Sequence, residues 1–120
     1  MQFKLILAFI DDARVDVVLE AARAAGATGA TIVPNARGQG LKRHLTFFGL
    51  EFLGPRNILL FLVEARRSTQ VMDAITRSGQ LDESLNTGIA LELDVSRATG
   101  LGEHIKVMAE TLPPDDQTNP

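Results

Sequence analysis

A chain of 120 residues, 45% apolar and 22% charged, has the length and balance of one ordinary globular domain and leaves no room for a second. It contains no cysteine, which excludes disulfides, thiolate nucleophiles and zinc sites built on cysteine sulfur. A net charge of −3 with scattered Lys and Arg gives no basic stripe for nucleic acid, and no apolar stretch approaches the ~20 residues that span a bilayer.

The chain opens with Met1-Gln2-Phe3-Lys4 and runs straight into alternating apolar residues. Neither a basic segment ahead of an apolar run nor a small-residue cleavage site is present, so the expected compartment is the cytoplasm. Phe3 to Ile10 is rich in β-favouring residues and reads as the first strand. Asp11 and Asp12 can cap a helix from about Ala13 to Ala25, with Val17, Ala21, Ala24 and Ala25 at helical spacing and Gly26 as its stop. Ala30 to Pro34 reads as a second strand, ended where Pro34 can no longer donate to a ladder. Asn57 to Glu64 (NILLFLVE) is the third strand. Ser68, Val71, Met72 and Ile75 mark a second helix that closes at Gly79. In the last strand Ile89, Leu91 and Leu93 alternate with Ala90, Glu92 and Asp94.

The order β-α-β, long connection, β-α-β predicts an α+β, ferredoxin-like (βαββαβ) sandwich, with both helices on one face of a four-stranded antiparallel sheet. The expected boundaries are a folded domain over 1–102 with a long loop at 35–56, a short C-terminal helix at 103–111, and a disordered tail at 112–120. With both helices on one side, strands as apolar as Leu59 to Val63 leave the opposite face without cover. Self-association into a closed ring is the economical way to bury it.

More than twenty residues separate Pro34 from Asn57, well beyond the length of an ordinary connection. Arg37, Gly38, Gln39 and Gly40 put two glycines after a cation, which suits either a solvated turn or backbone amides converging on an anion. Lys42, Arg43 and His44 form either a solvated charge run or an electropositive lip. Leu45 to Leu53 holds three of the six phenylalanines: either it pairs as a hairpin against the strand at Ile58, or Phe47 and Phe48 form an apolar finger for a partner. A second loop ends in Asn86-Thr87-Gly88, ahead of Ile89; it is a simple entry turn or a set of amides that closes over a ligand. Asp82 and Glu83 in that loop read as surface acids.

Familiar catalytic signatures are missing from the sequence: no phosphate-binding P-loop, no dinucleotide glycine fingerprint, no Gly-x-Ser-x-Gly elbow. His44 and His104 stand sixty residues apart with no ligand spacing between them, so no metal site and no cofactor is expected.

Three segments in order, GATGATIV (Gly26 to Val33), ARGQG (Ala36 to Gly40) and TGIALELDV (Thr87 to Val95), resemble the PII signalling superfamily over about residues 3–101. TFFGL (Thr46 to Leu50) resembles a divergent, transporter-associated branch of it. The resemblance implies a homotrimer with nucleotide sites in clefts between subunits, and a long effector (T-type) loop at 35–56. It also implies ligand contacts from Thr28, Gly29 and Thr31 of one subunit and from Gly38 and Gln39 at the loop base. Three phosphate-binding cations of the family fall here at Gly88, Gly100 and Gly102, so AMP or ADP is the expected ligand and ATP a weaker one. The modified loop tyrosine has no counterpart, since the chain contains no tyrosine.

These readings converge on a non-enzymatic signal-transduction protein that binds an adenine nucleotide or other small anion at Thr28, Gly29, Thr31, Arg37, Gly38, Gln39, Gly40, Thr87, Gly88 and Ile89. Lys42, Arg43, Phe47 and Phe48 would face a partner, with a membrane transporter as the candidate. The alternatives are a small ferredoxin-like lyase or isomerase using His44 with Glu51, and a metal-binding trimer resembling copper-tolerance proteins.

Overall fold

In the computed structural model, residues 2–36, 46–47, 50–51, 56–83 and 88–111 are described. The expected strands and helices are present as β1 (Phe3–Ile10), α1 (Val15–Ala25), β2 (Thr31–Ala36), β5 (Arg56–Glu64), α2 (Ser68–Ser78) and β6 (Gly88–Asp94). The two-residue strands β3 (Thr46–Phe47) and β4 (Leu50–Glu51) lie within the long connection, and α3 (Gly102–Thr111) follows β6. One turn of 3-10 helix, Asp12–Arg14 or Ala65–Arg67, leads into each of α1 and α2.

Four strands form one antiparallel sheet in the order β2-β5-β1-β6, the ferredoxin-like arrangement. Because side chains alternate along a strand, the register assigns every residue to a face. Ile6, Ala8 and Ile10 of β1 and Leu59, Phe61 and Val63 of β5 point to the helices and are at most 1% exposed. They close the core with Val18 and Ala22 of α1 and Val71 and Ile75 of α2. Full burial stabilises by roughly 1.5–3 kcal/mol per large aliphatic or aromatic side chain, so this layer is the main source of stability within the subunit.

Odd-numbered residues of β1 face the other way, and the register lines them up in three rows: Leu62–Leu5–Leu93, Leu60–Leu7–Leu91 and Ile58–Phe9–Ile89. All nine are apolar. Thr31 and Val33 of β2 extend the second and third rows. No helix of the α1/α2 layer covers this face, and Leu91, Leu93 and Val33 remain 37%, 43% and 41% exposed.

Three expectations are corrected. The inward stripe of α1 is Val15, Val18, Leu19, Ala22 and Ala25, while Val17 is 46% exposed. VDVVLEAARAA carries small or branched apolar residues all round, and it is Asp16, Glu20 and Arg23 that define the wet side. The second strand does not stop at Pro34: a bulge between Val33 and Ala36 takes up the missing donor, Asn35 turns left-handed (φ 58°), and pairing resumes at Ala36 opposite Arg56. β3 pairs with β4 in a ribbon of its own, Thr46 opposite Glu51 and Phe47 opposite Leu50, rather than against the strand at Ile58. The tail at 112–120 lies outside the described residues.

Candidate functional site

The anticipated ligand residues fall at two places. Thr28 and Gly29 occupy the link between α1 and β2, and Thr31 is the first residue of β2; all three are exposed. The link starts where it does because Gly26 adopts φ 125°, a conformation open to glycine, and ends α1 with the Ala27 amide donating to Ala22 O at 2.9 Å. On the open face of the sheet, Thr28 to Thr31 line a cleft of about 350 Å³ together with Leu60, Leu62, Gly100 and Leu101. Its floor is leucine, its rim carries two hydroxyls, and no charged residue lines it. A neutral, flat group such as a heterocyclic base suits that lining better than a phosphate does. On the helix side the same link walls a second hollow of about 270 Å³ lined by Leu19, Arg23, Ile32 and Phe61 among others. Arg23 there is held by Glu20, whose hydrogen bond and charge raise the guanidinium's pKa further while the carboxyl is lowered in return.

Gly88 and Ile89 stand on the opposite edge strand, at the end of the sheet where the long connection leaves and re-enters. Gly88 has φ 127°, and a Cβ there would sit 2.2 Å from the Phe9 carbonyl oxygen. This backbone therefore excludes any side chain at 88, a lysine included. Gly100 and Gly102 differ in space, since a Cβ at either meets nothing within 4 Å, but Gly100 has φ 88° and only Gly102 is free of that strain. The same end of the sheet holds two polar pairs. Arg56, 5% exposed, places Nη1 3.3 Å from Asp11 Oδ1, and Asn57 donates Nδ2–H to Asp12 Oδ1 at 3.0 Å. By strand alternation the first pair belongs to the open face and the second to the helix face.

Within one subunit these places do not meet, because β2 and β6 are the two edges of the sheet. Arg37, Gly38, Gln39, Gly40, Lys42, Arg43, Phe48 and Thr87 lie outside the described residues, as does His44; Phe47 is placed only as a member of β3. Asp82 and Glu83 are exposed, as expected. Among the described residues no cluster of His, Asp and Glu has the arrangement of a metal site. Sequence reasoning passed over Leu60, Leu62 and Leu101. The first two were legible as the second apolar face of β5, but nothing local signals that Leu101 folds back beneath Thr28.

At the far end, a groove of about 510 Å³ separates the start of β1 from residues 94–98 and α3. Lys4 donates a hydrogen bond to Asp94 on its rim, and that bond, with the carboxylate charge, holds the ammonium above the ordinary lysine range.

The profile of the family described as nitrogen regulatory protein P-II matches residues 3–101. No curated protein matches the sequence. Among solved structures, Arabidopsis thaliana PII bound to citrate superposes with a TM-score of 0.62 at 19% identity, covering 79% of this chain and 78% of that one. A Bacillus cereus protein related to NIF3 gives 0.60 at 13% identity, covering 80% of this chain but 26% of its own length. At such identities both superpositions speak to the fold.

Proposed function

Because the chain belongs to the nitrogen regulatory protein P-II family of signal-transduction proteins, we propose that it is a metabolite-responsive regulator whose ligand sites form only between subunits of a homotrimer. One observation carries this reading: the two halves of the anticipated site lie on opposite edges of a sheet whose open face is a three-by-three array of apolar residues. Burying that face against copies of itself removes apolar area from water and brings the β2 edge of one subunit toward the β6 edge of the next. The leucine-floored cleft at Thr28–Thr31 then takes the base of an adenine nucleotide, and the loop end, with Arg56 and the Gly88 backbone, takes its anionic part. Binding alters the fit of the 35–56 connection to a partner, for which Lys42, Arg43, Phe47 and Phe48 are the contact residues. A membrane transporter is the partner we favour.

The glycines at 88, 100 and 102, where the family resemblance places phosphate-binding cations, support AMP or ADP over ATP. Calorimetric titration with adenosine, AMP, ADP, ATP and citrate, the small anion held by the Arabidopsis protein, tests the ligand class; sedimentation at micromolar concentration tests the ring. A stable lone subunit, or silence from every compound, would overturn the proposal. Gly102→Arg sharpens it: residue 102 has open space around it and opens α3. Adding a cation there should tighten ATP by roughly tenfold relative to ADP.

A further inference from the structure

We propose that Asp11 is a built-in counter-anion of Arg56, and that it sets how much negative charge a ligand must bring to the loop end of the sheet. The inference rests on the function proposed above and deepens it. Arg56 opens β5 directly across from Ala36, so it stands at the base of the long connection. It lies one step beyond the Ile58–Phe9–Ile89 row on the open face, the end at which β6 begins with Gly88. Its side chain is 6% exposed, whereas that of Asp11, 3.3 Å away, is 50% exposed.

That asymmetry matters. A guanidinium keeps its charge under all folding conditions, so a buried one requires an anion beside it at all times. A half-exposed carboxylate gives up little on swinging back to water. An incoming phosphate or carboxylate therefore exchanges with Asp11 instead of adding to a free cation. A neutral ligand gains nothing from the exchange, and an anion gains in step with its charge, a trianion more than a dianion. Asp11 is thus a specificity-determining positioning residue for the ligand charge. It also links the loop base to the turn that starts α1, since the Arg14 amide donates to the Asp11 carbonyl at 2.8 Å.

The neighbouring pair supplies the control. Asp12 accepts from Asn57 on the other face of the same sheet end, so Asp12→Asn alters a carboxylate one residue away without touching Arg56. Calorimetry on the full chain with adenosine, AMP, ADP and citrate, at one ionic strength, reads the effect. Asp11→Asn should tighten ADP and citrate by roughly 5–10-fold, AMP by less and adenosine not at all. Asp12→Asn should follow the wild type for all four. Arg56→Gln introduced into the Asp11→Asn chain should cancel the gain. Should Asp11→Asn melt early, Asp11→Ser, which likewise removes the carboxylate and is a favoured residue at a helix start, carries the same test. Unchanged ADP and citrate affinity in a folded Asp11 variant, with the wild type binding normally, would overturn this inference and leave the proposed function standing. A gain for adenosine equal to that for ADP would overturn it as well. No binding by either the wild type or the variant would bring down both.

Discussion

On the helix side of the sheet Ile6, Ala8, Leu59, Phe61 and Val63 are sealed from water, at most 1% exposed; on the other side Leu91 and Leu93 stand 37% and 43% exposed although the face is no less apolar. The difference lies not in composition but in what has been laid over each. The helix layer is supplied by the chain itself, from α1 and α2. For the open face the chain supplies strands as water-averse as any core, and among the described residues the cover over Leu60 and Leu62 is the segment around Gly100 and Leu101. A sheet that is apolar on both sides is half of a structure, and the proposed trimer would furnish the other half.

Adjacent residues of β5 give the sharpest contrast. Phe61→Ala empties the helix-side core and should cost about 3–5 kcal/mol, measured by urea unfolding. Its neighbour Leu60→Asp should leave the helix-side core in place but convert the assembled form to a lone subunit in sedimentation; an unfolded Leu60→Asp chain would erase the distinction between the faces. Next in size, Gly88→Ala acts on neither face but on the ladder between β1 and β6. With the new Cβ 2.2 Å from the Phe9 carbonyl oxygen and φ at 127°, it should destabilise by about 2–3 kcal/mol, visible as a lowered melting temperature and faster amide exchange in β6.

Asn57→Ala comes third. It leaves the Asp12 carboxylate without its 3.0 Å donor on the helix side of the loop end and should cost about 1–2 kcal/mol in the same unfolding assay. The smallest effects belong to surface ion pairs. Asp94 raises the Lys4 pKa, so the pair's contribution is complete below the ordinary lysine range and is lost as pH rises through the raised value. Arg23 lowers that of Glu20, whose contribution is present above the ordinary carboxylate range and lost as pH falls through the lowered value. Melting curves of Lys4→Met and the wild type should therefore run parallel at neutral pH and converge in strong alkali; those of Glu20→Gln should converge in acid. Salt should shrink both differences.

Much of this architecture was legible in the residues. Period-two alternation in Ile89 to Asp94 and the continuous apolar run at Asn57 to Glu64 determine strands, and the stop at Gly26 determines the end of α1. The uncovered face followed from topology alone. What escaped were features decided by tertiary contact. The inward stripe of α1 is ambiguous when valine and alanine occupy all sides of a helix. A proline ends a strand only if no bulge absorbs it. The candidate site could be read only as a list of residues and not as an arrangement, because Thr28, Gly29 and Thr31 stand at one edge of the sheet and Gly88 and Ile89 at the other. Leu101 joins Thr28 only after the chain has crossed from the β6 edge back under the sheet.

Pro34 and Asn35 carry one more consequence. A bare outer edge invites endless addition of further strands, the route to ribbons and fibrils. On β2 that edge is spoiled near its loop end, by an exposed residue with no amide hydrogen followed by one wound in the opposite hand. Growth by hydrogen-bonded extension is blunted there, while the greasy flat of the sheet stays available. That asymmetry suits the closed ring proposed above, which uses the flat of the sheet and not its edge.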